Sequence, residues 1–292
     1  MWYTETESIL LQGVSSVAVR RKTKVAFSAL LILVLLRLFP PFVEKSAHVV
    51  PDYPQVDLTE ILQKDALEPG DYQAIYEQTG LGKAAVDALM QEEDGIERLL
   101  FFQEKLFEEV EFVCEPNSII SNEERLVEGG TEFAHLQNGY VLITKASHTL
   151  SWRNGHAAIV VDAERGQTLE SVVLGTNSCL QDISKWLQYP NFMVLKLKGA
   201  DRELLGEIAA FAKTYLNDVP YSLTLGILKK KYEPKEEISG THCAHLIWRA
   251  FREYGFDLDS TGGRVVTPKD LAGSPLFEVV QVYGMDPKNP WP

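Results

Sequence analysis

From Gly139 onward the sequence changes period, and that change limits what the chain can fold into. Short apolar runs follow one another: Tyr140–Thr144, His156–Val161, Thr168–Leu174, Phe192–Leu197 and Phe277–Tyr283. Runs of this length, rich in β-branched and aromatic residues and separated by turn formers, predict strands. Amphipathic helices are interleaved with them. Residues 201–216 place Leu204, Leu205, Ile208, Phe211, Ala212 and Tyr215 on one side. Residues 242–254 do the same with Ala244, Ile247, Trp248, Phe251 and Tyr254, and Gly255 stands where a C-terminal cap is expected. A short helix opens at Thr267-Pro268, proline suiting a first helical position. Antiparallel strands with helices packed on them predict an α+β domain.

Upstream the period is helical from Asp57 to about Val113. Leu58, Ile61 and Leu62 mark one helix, and Pro69-Gly70-Asp71 introduces a second that stops at Gly80. A third runs from Lys83 through Val86, Leu89 and Met90, and a fourth from Ile96 to Phe107. Glu104, Glu108, Glu109 and Glu111 read as a solvated helix face, and no catalytic cluster falls in this part. The expected organisation is therefore a stub and anchor at 1–46, a linker and helical region at 47–125, and the α+β domain at 126–292.

The anchor rests on Val25–Val43, a run of 19 residues with Arg37 as its single charge. As a helix it would span about 28 Å, close to the hydrocarbon thickness of a bilayer. Arg20, Arg21, Lys22 and Lys24 precede it, while only Lys45 follows closely. The positive-inside rule then predicts a single-pass transmembrane helix, with the N-terminus cytoplasmic and the domain outside. A cleaved secretory signal is the alternative reading. The net charge of −13 over 292 residues argues against a nucleic-acid surface.

Three cysteines, Cys114, Cys179 and Cys243, offer no CxxC pair, so a structural zinc site is not expected. His242-Cys243-x-His245 could clip a metal, but without further ligands in sight none is expected there. Cys114 and Cys179 could pair outside the cytoplasm, leaving Cys243 as the odd thiol. Cys243 falls in the first turn of the 242–254 helix, behind the good cap formers Ser239 and Thr241. Unpaired N–H groups and the helix dipole favour an anion there, which lowers the barrier to a thiolate.

A thiolate nucleophile needs a base, and the base needs an orienting partner. Helical geometry turns His242 and His245 about 100° and 200° away from Cys243, so neither is expected to face it. His156, opening an apolar strand after Asn154-Gly155, is the better base. Glu170 lies at an even offset across the turn near Arg165, which puts both side chains on one face of a hairpin. A symmetric tight turn would set His156 opposite Leu174, so a longer loop or a bulge is required to bring Glu170 beside the ring.

These motifs, in this order, resemble the permuted branch of the NlpC-type, papain-like cysteine hydrolases, specifically the YiiX-like group. The resemblance is carried by Gly139–Thr144, Gly155–Val161 and Thr168–Ser171, then Val219-Pro220-Tyr221-Ser222, His242–Trp248, and Thr267–Leu271 with Ser274-Pro275. It covers roughly residues 135–284. Tyr140 stands where the group usually has Asp, and Ala244 where Ser commonly follows the nucleophile. The resemblance implies a permuted papain-like fold with Cys243 as nucleophile, His156 as base and then acid, Glu170 as orienter and Tyr221 lining the substrate site. It implies no cofactor. With an outward-facing anchor, the expected activity is hydrolysis of amide bonds in cell-wall peptides through a thioacyl-enzyme. Two alternatives stand beside it. One is a lipid acyl hydrolase or acyltransferase, as in the related lecithin:retinol acyltransferase-like enzymes; the other is a catalytically silent binding module. The partners implied are a peptide, peptidoglycan or lipid-linked substrate and the membrane itself.

Overall fold

The computed structural model describes Phe27, Ser28, Leu31 and residues 48–118, 120–149 and 152–291. These fall into two units. One comprises 1–43 with 150–152; the other, 44–149 with 153–292, carries everything described below. The apolar run Val25–Val43 lies outside the described residues apart from Phe27, Ser28 and Leu31. Among the described residues, no helix is long and apolar enough to cross a membrane.

The fold is mixed α+β with antiparallel sheets. Helices α1 (Thr59–Leu62), α2 (Pro69–Thr79), α3 (Lys83–Leu89) and α4 (Gly95–Leu106) come first. Proline at the first turn of α2 and a reciprocal Glu68–Asp71 capping box fix where that helix begins. Strands β1 (Phe112–Pro116), β2 (Ser121–Leu126), β3 (Val141–Thr144) and β4 (Ser147–Thr149) follow. After them come β5 (His156–Asp162), β6 (Gln167–Glu170), β7 (Cys179–Asp182) and β8 (Phe192–Leu197). Helix α5 (Arg202–Tyr215), helix α6 (Cys243–Arg252), helix α7 (Pro268–Ala272) and strand β9 (Phe277–Tyr283) complete the domain. The main sheet has the order β9-β8-β3-β5-β6-β7, antiparallel at every junction. β5 is therefore interior, and α5 and α6 pack against it. Residues 156–161 are all buried, which is why the run is apolar without alternation.

Two sequence expectations are corrected here. The helical region gives way at Phe107, and Phe112–Pro116 pairs as a strand with Ser121–Leu126. The strand expected over 168–174 ends at Glu170. Beyond it, residues 171–176 form a loop tied to the segment before α6, with Thr176 accepting from Tyr221 N–H at 3.0 Å.

The helical region shares its core with the sheet. Leu58, Ile75, Leu81, Val86 and Leu99 are buried in the same cluster as Val141, Ile159, Leu195 and Ile247. Backbone bonds reinforce this. Gly82 N–H donates to Val280 at 2.9 Å, Val282 N–H donates to Gly80 at 2.7 Å, and Leu81 pairs with Gln281. Burial of aliphatic side chains stabilises by roughly 1.5–3 kcal/mol each, so the helices are integral to the domain's stability.

Candidate active site

Helix α6 starts at Cys243 because His242 before it is extended, with φ −141° and ψ 172°. The cap is His242 itself, whose ring Nδ1 accepts from His245 N–H at 3.4 Å. Ser239 is occupied elsewhere, its N–H and hydroxyl both donating to Glu233. Thr241 is held by Pro220 and Ser222 through backbone bonds of 2.9 and 2.7 Å and pairs with Tyr221. This fastens Tyr221 beside Thr241, which stands two residues ahead of the helix start.

His156 opens β5 directly after Gly155, which has φ +71°. A Cβ on Gly155 would lie 2.6 Å from the Thr144 carbonyl and 2.7 Å from the Trp291 ring. Glycine alone fits both the left-handed backbone and the close approach.

Glu170 reaches His156 through a bulge. Ile159 pairs with Leu169 and Val160 with Thr168, but Asp162 pairs with Gln167, leaving Val161 as the extra residue. Extending that register sets Glu170 opposite Ala158, diagonal to His156 on the same face. Long side chains bridge such a diagonal, and His156 Nε2 lies 2.6 Å from Glu170 Oε2.

The Glu170 carboxylate is wholly buried and surrounded by donors. Besides His156, Oε2 receives Lys185 Nζ at 2.6 Å. Oε1 accepts from the Thr168 hydroxyl at 2.6 Å and from Trp186 Nε1 at 3.0 Å. Burial works to raise its pKa, but the bond to His156 and the charges of His156 and Lys185 outweigh it and hold the carboxyl at about 2. The Trp186 ring also stacks on the His156 imidazole, with centroids 5.6 Å apart and planes 19° off parallel.

With Nε2 committed to Glu170, the other imidazole nitrogen is left for the thiol, and His156 and Cys243 are hydrogen-bonding partners. Burial pushes the Cys243 thiol up; hydrogen bonds with His156 and with His242 outweigh this and bring it down to about 6. On His156, burial acts to lower the pKa, while the bonds to Cys243 and Glu170 raise it to about 9. Between those values the pair is a thiolate facing an imidazolium. Burial, then the Cys243 charge, raises the Tyr221 phenol above its ordinary range, so it stays protonated beside the thiolate.

The structure thus brings together Cys243, His156, Glu170 and Tyr221. It corrects the expectation for His242. That residue stands outside the helix, so the 100° rotation does not apply, and its imidazole is a second partner of the thiol. His245 is buried within the fold, with Nδ1 against Thr241 Oγ1 at 3.0 Å and Nε2 against the Lys231 carbonyl at 2.7 Å. Cys114 and Cys179 are not joined by a disulfide. Among the described residues, no group of three or more His, Cys, Asp or Glu side chains could hold a metal ion.

Thr168, Lys185 and Trp186 were not singled out from sequence. Thr168 left a faint signal, sharing a strand face with Glu170 two positions on. Lys185 and Trp186 lie in a 3-10 helix, Ile183–Gln188, too short to show a period.

No family model matches the sequence, and no curated protein sequence matches it. Among solved structures, the crystal structure of the metalloprotein yiiX from Escherichia coli O157:H7 is similar at a TM-score of 0.39 and 13% identity. That alignment covers 49% of this chain and 96% of the other.

Proposed function

We propose that this chain is a cysteine hydrolase of the permuted papain-like, NlpC-type class. It attacks amide bonds in cell-wall peptides from the outer side of a membrane to which residues 25–43 anchor it. The observation that carries the reading is the buried Cys243–His156–Glu170 relay at the start of a helix, with Glu170 saturated by donors. A structural histidine would gain little from such an elaborate fixing of its tautomer, whereas a general base depends on it.

In the proposed cycle the Cys243 thiolate attacks the scissile carbonyl, and the first free N–H groups of α6 stabilise the developing oxyanion. The His156 imidazolium gives its proton to the leaving amine, producing a thioacyl-enzyme. Water then enters, His156 takes its proton, and collapse releases the acid and restores the thiolate–imidazolium pair. Glu170 stays ionised throughout and compensates the imidazolium. The protonated Tyr221 phenol borders the space a substrate would occupy. Compartment is what favours wall peptides, since an outward thiol hydrolase on an anchor meets them first.

The test is intact-mass analysis of the full chain mixed with cell-wall stem peptides and, in parallel, with acyl esters. An acyl adduct on the Cys243 peptide that turns over with the stem peptides supports the reading. Adducts from esters alone move it to the lipid acyl class. Absence of any adduct from a Cys243 that alkylates readily near neutral pH overturns hydrolysis.

A further inference from the structure

The loop that follows Tyr221 exposes three of its aliphatic side chains. Leu223 is 50% exposed, Ile227 60% and Leu228 82%. This is a built turn. Thr224 O accepts from the N–H groups of Ile227, Leu228 and Lys229 at 3.1, 2.9 and 3.1 Å, and Gly226 N–H donates to Lys229 O at 3.1 Å. Leu225, only 2% exposed, pins the turn to the body. Gly226 has φ +78°, and a Cβ there would fall 1.7 Å from the Arg264 carbonyl. The backbone is thus satisfied and anchored at 225–226 while residues 227–228 are held out as an apex. Solvent-facing aliphatics on a braced apex call for an occupant.

Charge indicates which. Lys229 and Lys230, both exposed, come directly behind the apex in a chain of net charge −13. Lys231 turns inward to Asp259 and the Gly263 carbonyl. Glu233, the nearest acid along the chain, is engaged by Ser239. A second copy would bring the same strong negative charge, and a protruding apex offers little flat area to a protein partner. Two aliphatics with lysines one step behind match a bilayer, with apolar tips below the headgroups and ammonium groups at the phosphates.

We infer that the 223–230 turn docks onto an anionic lipid surface, inserting Ile227 and Leu228 and setting Lys229 and Lys230 against the headgroups. The turn adjoins the candidate site. Ser222 N–H bonds to Thr241, and loop 171–177, which carries Leu174 at 51% exposure, is bonded to Pro220 and Tyr221. Docking therefore brings the Tyr221 edge of the Cys243 site down to the membrane. It does not depend on thiol chemistry and stands or falls separately from it.

The test uses the full chain with Cys114, Cys179 and Cys243 changed to Ser and Leu228→Cys carrying an environment-sensitive fluorophore. The protein is reconstituted in phosphatidylcholine vesicles with and without phosphatidylglycerol, so any N-terminal tether is the same in both. The expected result is a blue-shifted emission, quenched by nitroxide lipids, in the vesicles with phosphatidylglycerol. Lys229→Gln with Lys230→Gln should lower the insertion equilibrium constant about twenty-five-fold, from about fivefold per lysine. A label that keeps its aqueous emission in both vesicle types, on protein whose melting transition is unchanged, overturns the inference. So does a shift that develops with protein concentration in the absence of lipid, which would make a second copy the occupant.

Discussion

Replacing His156 by alanine isolates the physics of the site. Cys243 stands at about 6 against an ordinary thiol value of 9.0, although burial alone would push it higher. Three units correspond to about 4 kcal/mol in favour of the thiolate, and the two imidazoles supply more than that because they also overcome burial. With His156 gone, the thiol keeps the burial and only His242, so its apparent pKa should rise by at least about 2 units. Rate at one pH is a poor readout. If the pKa returned to 9, the thiolate fraction at pH 7.5 would drop about thirtyfold. With a Brønsted slope near 0.45, however, that thiolate would be about twentyfold more nucleophilic. The two nearly cancel. The assay is therefore the full pH profile of iodoacetamide alkylation, with Cys243 resolved from Cys114 and Cys179 by peptide mass. A midpoint that stays near 6 in His156→Ala would refute the pairing; a midpoint at or above 8 supports it.

Three further outcomes follow from the same geometry. Turnover (kcat/KM) should be bell-shaped, rising as the thiol ionises near pH 6 and falling as His156 loses its proton near pH 9. Glu170→Gln should destabilise by about 3 kcal/mol at pH 7, because it strands Lys185 and the imidazole donor beside a neutral amide. Glu170 is held at about 2, below its ordinary 4.5. The wild type therefore loses this advantage as pH falls from 4.5 through 2, and urea titrations should show the difference from Glu170→Gln narrowing toward pH 2. Gly155→Ala should cost about 1–3 kcal/mol in thermal melts, and it should slow Cys243 alkylation near neutral pH by displacing the start of β5.

Periodicity explains what could be read from the chain beforehand. β3, β5, β8, β9, α5 and α6 are long or apolar enough for period to identify them, and the parity of His156 and Glu170 follows from the two-residue repeat of a strand. Their contact depends on a bulge at Val161, which looks like any other apolar residue in its run. His242 was misplaced because capping preferences point to Ser239 or Thr241, whereas the tertiary bonds of those residues leave the cap to histidine. The β1–β2 hairpin was missed because its buried positions are charged. Glu124 is buried against Arg153 and His148, and Glu123 against Arg125, a pattern that hydropathy reads as surface.

The bridge from Leu81 to Gln281 has a consequence for how the molecule is made. It closes a loop of about 200 residues, and such closure is entropically opposed until its contacts form. The helices at 59–106 leave the ribosome well before β9, yet they find backbone partners there, about 200 residues further along the chain. Part of their buried face stays uncovered while the intervening residues are made, which favours slow completion of the core and a need for protection while the chain waits. Cys243 and α6 belong to that same core, so the pairing of Cys243 with His156 is expected to form only as folding is completed.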